Sequence, residues 1–342
     1  MKKVAVIILN WNGAALLRRY LPSVVTNTPA ALADVIVADN GSDDDSVALL
    51  ERDYPTVTIL RHERNYGFAE GYNRAIDMTR YPLTVLLNSD VRTPAGWLEP
   101  LVEYMEAHPE AAAVQPKVLH DGEPPGRPMF EYAGAAGGYL DCHGFPYCRG
   151  RLFDTVEADH GQYDATEPQR VFWASGACLT VRSQAYLDAG GLDPRFFAHM
   201  EEIDLCWRLQ LAGHSVAMVP ASSVYHLGGG TLPQGSARKT YLNFRNNLLM
   251  LYKNLPHKGR THFLVVRRLY DTLALAVELI KGNWGAVKAI WRAHRDFSRM
   301  CHEYDTLPSP DGNLLETMPE GRLNIIWQYY GRGRHTFAEL PQ

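Results

Sequence analysis

Apolar residues along the chain fall into short unbroken runs, separated by stretches in which they recur at helical spacing. Residues 4–9, 35–38, 57–60 and 83–87 are continuous apolar runs of strand length. Runs that are apolar on both faces suit the buried strands of a parallel sheet covered by helices on both sides. Residues 14–26, 44–53 and 68–79, lying between them, have helical character. Strand alternating with helix predicts an α/β fold with right-handed crossovers. Thr93-Pro94 reads as the N-cap and first position of a helix running to about His108. Residues 183–189 and 201–212 read as helices, the second closed by Gly213, and residues 238–300 as largely helical. Residues 120–170 are rich in Gly, Pro and aromatics without a clean period, which predicts a long loop region with short strands covering a site.

In an open parallel sheet, ligands bind beyond the carboxyl ends of the strands. Three polar clusters sit at such ends: Asn10-Trp11-Asn12, Asp39-Asn40-Gly41-Ser42 and Asn88-Ser89-Asp90. One Asp after a strand is commonly a turn or cap residue. Three clusters at three strand ends point to a site. No GxGxxG follows the first strand, which disfavours a dinucleotide-binding fold.

Composition sharpens this picture mainly through charge. The 342 residues carry 34 Lys+Arg and 38 Asp+Glu, and 46% are hydrophobic, as suits a folded protein rather than a disordered one. The near balance hides an asymmetry. Residues 1–237 hold 18 basic and 29 acidic side chains, residues 238–300 hold 13 and 3, and residues 301–342 hold 3 and 6. We therefore expect three parts: an acidic body (1–237), a basic helical extension (238–300) and a C-terminal tail (301–342). Basic charge confined to one segment argues against a nucleic-acid partner. Five scattered cysteines without a CxxC pair argue against a zinc ribbon or redox dithiol. The apolar run at the start is too short for a signal peptide, and no run of about 18 uncharged apolar residues offers a membrane span, so a cytoplasmic location is expected.

Nine segments in order resemble family 2 glycosyltransferases of the GT-A fold, in the rhamnosyltransferase-like branch. They are residues 6–13 (VIILNWNG), 37–42 (VADNGS), 64–73 (RNYGFAEGYN), 86–91 (LLNSDV), 175–177 (SGA), 190–193 (GGLD), 201–208 (EEIDLCWR), 224–230 (VYHLGGG) and 245–247 (RNN). The likeness spans residues 3–255. It implies a mostly parallel, Rossmann-like sheet flanked by helices, with the helical extension behind it. It also implies inverting transfer of a sugar from a nucleoside diphosphate to an acceptor hydroxyl, with Mg²⁺ or Mn²⁺.

The resemblance also assigns roles. Asn10, Trp11, Asp39, Asn40, Arg64 and Asn88 would bind the donor, Asp39 through the pyrimidine base, and Arg245 would face its phosphates. Asp90 matches the last Asp of the DxD motif and His226 the later metal-binding His. Glu202, beside Glu201, matches the catalytic base. Trp173, Ser175, Gly176 and Asp204 would serve the acceptor, with core packing the alternative for Trp173 and a structural role for Asp204. Asn73 would fix the loop that holds the donor. Two positions depart from the family pattern. Asn88 replaces the first carboxylate of DxD, and Glu202 stands where Asp is more usual. An amide keeps an oxygen ligand but removes a negative charge.

The expected donor is a dTDP- or UDP-sugar, dTDP-rhamnose first, and the acceptor a cell-surface glycan or a lipid-linked glycan. Apolar residues among cations in 261–300 suit a helix lying on the inner face of the cytoplasmic membrane, or else a helical appendage packed on protein. Two other classes share the α/β layout: a catalytically silent nucleotide- or glycan-binding protein, and a sugar-1-phosphate nucleotidyltransferase. The intact acidic and histidine set argues against the first. The missing Gly-rich phosphate loop after the first strand argues against the second.

Overall fold

A computed structural model describes residues 3–122, 128–132, 134–164, 169–228 and 236–341. The first half alternates strand and helix: β1 (Val4–Asn10), α1 (Ala14–Asn27), β2 (Ala33–Asp39), α2 (Ser46–Asp53), β3 (Thr58–Arg61), α3 (Gly67–Thr79) and β4 (Leu83–Leu87). Then come β5 (Val91–Arg92), α4 (Glu99–Ala107) and β6 (Ala111–His120). Among the described residues these join β11 (Gln169–Arg170), β12 (Cys178–Arg182) and β13 (Ser215–His226) in one sheet of order β11-β13-β6-β12-β4-β1-β2-β3, with β5 on the end of β13. The β4-β1-β2-β3 half is parallel, and β12 runs antiparallel between β4 and β6.

The strand pleat explains the two cores. Val4, Val6 and Ile8 point to one face, where Leu17, Leu21 and Val24 of α1 and Leu101 and Met105 of α4 cover them. Ala5 and Ile7 point to the other face, beneath Tyr72 and Ile76 of α3. That second core continues through α5 (Ser183–Asp188) and α6 (Glu201–Leu211) into α7 (Ala237–Asn254), whose Leu248–Leu251 are fully buried in it. The first helix of the basic segment thus belongs to the body's own core. α8 (His257–Ile280), broken at Lys258–Gly259, and α9 (Trp284–Met300) follow as an antiparallel pair. None of the described helices is long and apolar enough to cross a membrane.

Three local expectations are corrected. The helix predicted from Thr93 starts at Glu99 instead. Thr93 is tied to α1, its N–H donating to Ser23 and its carbonyl accepting from Asn27, so it caps nothing. β3 is an edge strand with partly exposed residues rather than a doubly buried one. Asn73 holds Leu192, accepting from its N–H and donating to its carbonyl at 2.9 and 2.8 Å, and not the donor loop. The described part of residues 120–170 includes short strands, β7 (Gly138–Leu140), β8 (Pro146–Cys148), β9 (Arg151–Leu152) and β10 (Thr155–Val156), which form a small antiparallel sheet. The C-terminal tail packs on it: Tyr147 donates to the Glu320 carbonyl, and Asp141 accepts from Ile325 N–H.

Candidate active site

The carboxyl ends of β1 and β2 are stapled into one polar surface. Asn10 and Asp39 are register partners, and both are buried. The Asn10 amide donates to Asp39 Oδ1 (3.1 Å) and Ser42 Oγ (3.2 Å), while Ser42 N–H donates to Asp39 Oδ2 (3.1 Å). Trp11, next to this pair, is half exposed, and the Arg64 side chain is exposed and lies over the Tyr66 ring. Gly41 passes so close to Arg64 that a Cβ there would lie 2.6 Å from Arg64 Cα, at φ +72°, so only glycine fits. The structure therefore brings Asn10, Trp11, Asp39 and Arg64 to one end of the sheet. Asn40 is spent differently: its amide donates to Asn65 and Gly67 and accepts from Tyr66 N–H, which fixes the following loop.

A second cluster forms where β4 and β13 end. His226 closes β13, and its Nε2 lies 3.1 Å from Asp90 Oδ1 and 3.4 Å from the Asn88 amide. On its other side, Nδ1 lies 3.4 Å from Glu131 Oε2, within ion-pair distance. Burial works against a charged imidazole here, yet hydrogen bonding and charge from Asp90 and Glu131 outweigh it and raise His226 to about 10. A site that keeps a buried histidine protonated at neutral pH favours positive charge. Its donor set of carboxylate, imidazole and amide fits Mn²⁺ or Mg²⁺. Glu131 was not foreseen from the sequence. Its only local sign is an acid between two aromatics, Phe130 and Tyr132, in a Gly-rich region. Gly228 admits it: a Cβ there would meet Glu131 Oε1 at 2.6 Å. Gly229 and Gly230, which complete that sequence motif, lie outside the described residues.

The third group is reached through residues 175–177. Asn88 N–H donates to the Ala177 carbonyl (3.0 Å), and a Cβ at Gly176 would sit 3.6 Å from Glu202 Cβ. Gly176 and Ala177 thus link the backbone of Asn88 to the start of α6. Glu201 and Glu202 both carry a buried carboxylate oxygen without a hydrogen-bond partner. Burial raises Glu202 to about 7. Burial, then the neighbouring Glu202 charge, pushes Glu201 well above the usual carboxylate range. The segment before α6 is strained, with Phe197, His199 and Met200 at φ +66°, +69° and +72°. Arg245 and Asn246 of α7 hold it: Arg245 donates to the Arg195 and Phe196 carbonyls, and Asn246 to those of Phe196, Ala198 and His199. His199 is a further residue missed in the sequence; burial, with Lys239 nearby, holds it down to about 4 and hence neutral.

Three sequence candidates lie elsewhere. Arg245 spends its guanidinium on that loop rather than on an open phosphate site. Trp173 is a core residue whose indole N–H donates to the Tyr139 carbonyl. Asp204 is fully buried and bound to Arg208, Lys253 and Asn254, a strut between α6 and α7.

Comparison with known proteins bears on what this arrangement is. The family model described as glycosyl transferase family 2 matches residues 5–141, which carry Asn10, Asp39, Asn88 and Asp90. Over that segment the chain is similar to glycosyl transferase family 2. It is 29% identical over 235 residues to the N-acetylglucosaminyl-diphospho-decaprenol L-rhamnosyltransferase of Mycobacterium tuberculosis, covering 65% of this chain and 75% of that one. It is 28% identical over 247 residues to the pre-mycofactocin glycosyltransferase of the same organism, covering 70% and 46%. The fold matches GalNAc-T7, crystallised with UDP, GalNAc and Mn²⁺ (TM-score 0.61, 17% identity), over 92% of this chain and 59% of that one. It also matches the mannosyltransferase PcManGT from Pyrobaculum calidifontis with GDP-Man and Mn²⁺ (TM-score 0.52, 14% identity), over 90% and 88%. The chain is thus similar in sequence to a family 2 glycosyltransferase segment and a rhamnosyltransferase, and shares the fold of these two structures. Glu202 and His226 lie beyond the matched segment, on elements the fold returns to it.

Proposed function

We propose that this chain transfers a sugar, rhamnose first, with inversion from a pyrimidine nucleoside diphosphate to a hydroxyl of a lipid-linked or polysaccharide acceptor in cell-surface glycan synthesis. The observation that supports this reading is the segment Gly176–Ala177, which meets the Asn88 backbone on one side and Glu202 on the other. Likeness to a decaprenol-linked rhamnosyltransferase supports the sugar and the acceptor class. Mn²⁺ in both fold neighbours supports a metal.

Asp90, His226 and the Asn88 oxygen would hold Mg²⁺ or Mn²⁺, which when bound neutralises charge on the departing diphosphate. Asp39 accepts a hydrogen bond from the pyrimidine base, and Asn10 fixes that carboxylate. Arg64 and Trp11 close the same end of the pocket. Glu202, ionised above pH 7, takes the acceptor proton as the hydroxyl attacks from the face opposite the leaving group. One displacement by one nucleophile inverts the anomeric carbon.

Glu131 acts as a positioning residue in this scheme. An imidazole that ligates through Nε2 commonly gives its other N–H to a carboxylate, which fixes tautomer and ring orientation. Glu131 stands at that nitrogen. Glu131→Gln should weaken Mn²⁺ binding by about 10–100-fold in a calorimetric titration, with the fold retained. Unchanged Mn²⁺ affinity would remove Glu131 from the scheme. The function itself is tested by a donor screen that follows release of nucleoside diphosphate with Mn²⁺ or Mg²⁺ and a polyprenyl-diphosphate glycan acceptor. We expect turnover of a dTDP- or UDP-sugar; no turnover of any nucleotide sugar would reject the proposal.

A further inference from the structure

The pair α8–α9 is built with its polarity reversed relative to an ordinary surface helix. The inward side of α8 holds a charged pair, Arg267 with Asp271, both buried, with the Arg267 guanidinium 3.7 Å from the Phe145 ring centroid and its Nε donating to Asn247. The outward side is aliphatic. Val265, Leu269, Leu273, Val277 and Ile280 recur at helical spacing and are all exposed, Leu269 at 65% and Ile280 at 86%. Such a row has no reason to face water when charges occupy the protected side of the same helix.

The tip of the pair carries the feature furthest. A short turn, Lys281–Asn283, joins the two helices, so Leu279, Ile280 and Trp284 cluster around Lys281 at one exposed end. Trp291 is exposed two turns further along α9, among the exposed cations Lys288, Arg292 and Arg295. The three acids of residues 238–300 offer no counter-field. Asp271 is buried with Arg267 and His294, Glu278 pairs with Lys281, and Asp296 pairs with Arg295 and accepts from Tyr241. Aliphatic side chains, tryptophans and an excess of cations over acids on one pair of helices match the acyl boundary, the headgroup layer and the anionic charge of a lipid surface in turn.

We infer that the α8–α9 pair docks this chain on an anionic membrane surface, with Ile280 and Trp284 entering the interface and Lys288, Arg292 and Arg295 facing lipid phosphates. This reading is independent of which sugar or acceptor the enzyme uses. The test is sedimentation of the full chain with vesicles of phosphatidylcholine plus phosphatidylglycerol, against vesicles of phosphatidylcholine alone. The expected result is binding to the anionic vesicles, a blue shift of tryptophan emission, and weakening by added salt. The double variant I280E/W284E alters only exposed side chains, so circular dichroism should be unchanged while the partition coefficient falls at least about tenfold. Lys288→Glu with Arg292→Glu should remove the preference for phosphatidylglycerol and leave residual apolar binding. Three results would overturn the inference: no binding to anionic vesicles, equal binding by I280E/W284E, or a dimer in solution that I280E/W284E dissociates without any vesicle binding. The last would assign the face to a second copy of the chain.

Discussion

Glu202→Gln should lower the rate of sugar transfer by about 10²–10⁴-fold while donor affinity stays near native. The amide occupies the same volume and cannot take the acceptor proton. Donor affinity should survive because the proposed nucleoside-binding residues Asn10, Asp39 and Arg64 follow other strands, β1, β2 and β3, than the segment that carries Glu202. The pH dependence gives a second readout. As the proposed base, Glu202 would work only when ionised, and burial raises its carboxyl to about 7. kcat/KM should therefore rise with pH through about 7 and level off above it, and the acid limb should vanish in the residual activity of Glu202→Gln. Glu201→Gln should keep the limb, since Glu201 is held protonated by burial and by Glu202. The stability sign is opposite. A carboxyl raised in the folded state binds its proton where the unfolded chain has released it, so stability falls as pH rises from the usual glutamate range toward 7. At pH 8 Glu202→Gln should be more stable than the parent by about 1–3 kcal/mol, read as a higher melting temperature. A variant that is stabilised yet inactive marks a catalytic residue, because a merely structural glutamate would lose stability on substitution. Full transfer by Glu202→Gln would end the base assignment.

The sheet was legible because burial on both faces leaves a signature that needs no partner: residues 4–9 are apolar throughout, and 83–87 at every position but Thr84, whose hydroxyl pairs with Ser183. Its polar end was legible because polar residues follow those runs immediately, as with Asn10 and Asn88. What escaped depends on tertiary hydrogen bonds. Thr93 looks like a helix cap until Ser23 and Asn27 claim its backbone. Asn40, Arg245 and Asp204 have the right chemistry for ligands, yet each is consumed by a loop or a neighbouring helix. Glu131 lies in a region without periodicity and becomes meaningful only when β13 delivers His226 to it. The α8 face was half legible. Its cations and apolar residues were visible, but the inward placement of Arg267 and Asp271 was not.

Removing divalent cations with a chelator should abolish transfer, and Asp90→Ala should lower it by about 10²–10³-fold even at saturating Mn²⁺, the equivalent of several kcal/mol of lost leaving-group stabilisation. The charge balance around His226 explains why Asp90 matters most. Among Asn88, Asp90 and His226, only Asp90 brings a negative charge, because the first DxD position is an amide. Asp90→Asn, which preserves shape and removes that charge, should therefore cost nearly as much metal affinity as Asp90→Ala. Asn88→Asp should act in the reverse sense and tighten Mn²⁺ binding, since it adds a carboxylate near His226 Nε2. These affinities are measurable by titration without any transfer reaction, so a failure of the donor assignment would leave them untouched. Undiminished transfer in the presence of the chelator would overturn the metal site. In that case the raised His226 would itself be the positive charge at the strand ends, and His226→Ala would be the variant that loses transfer.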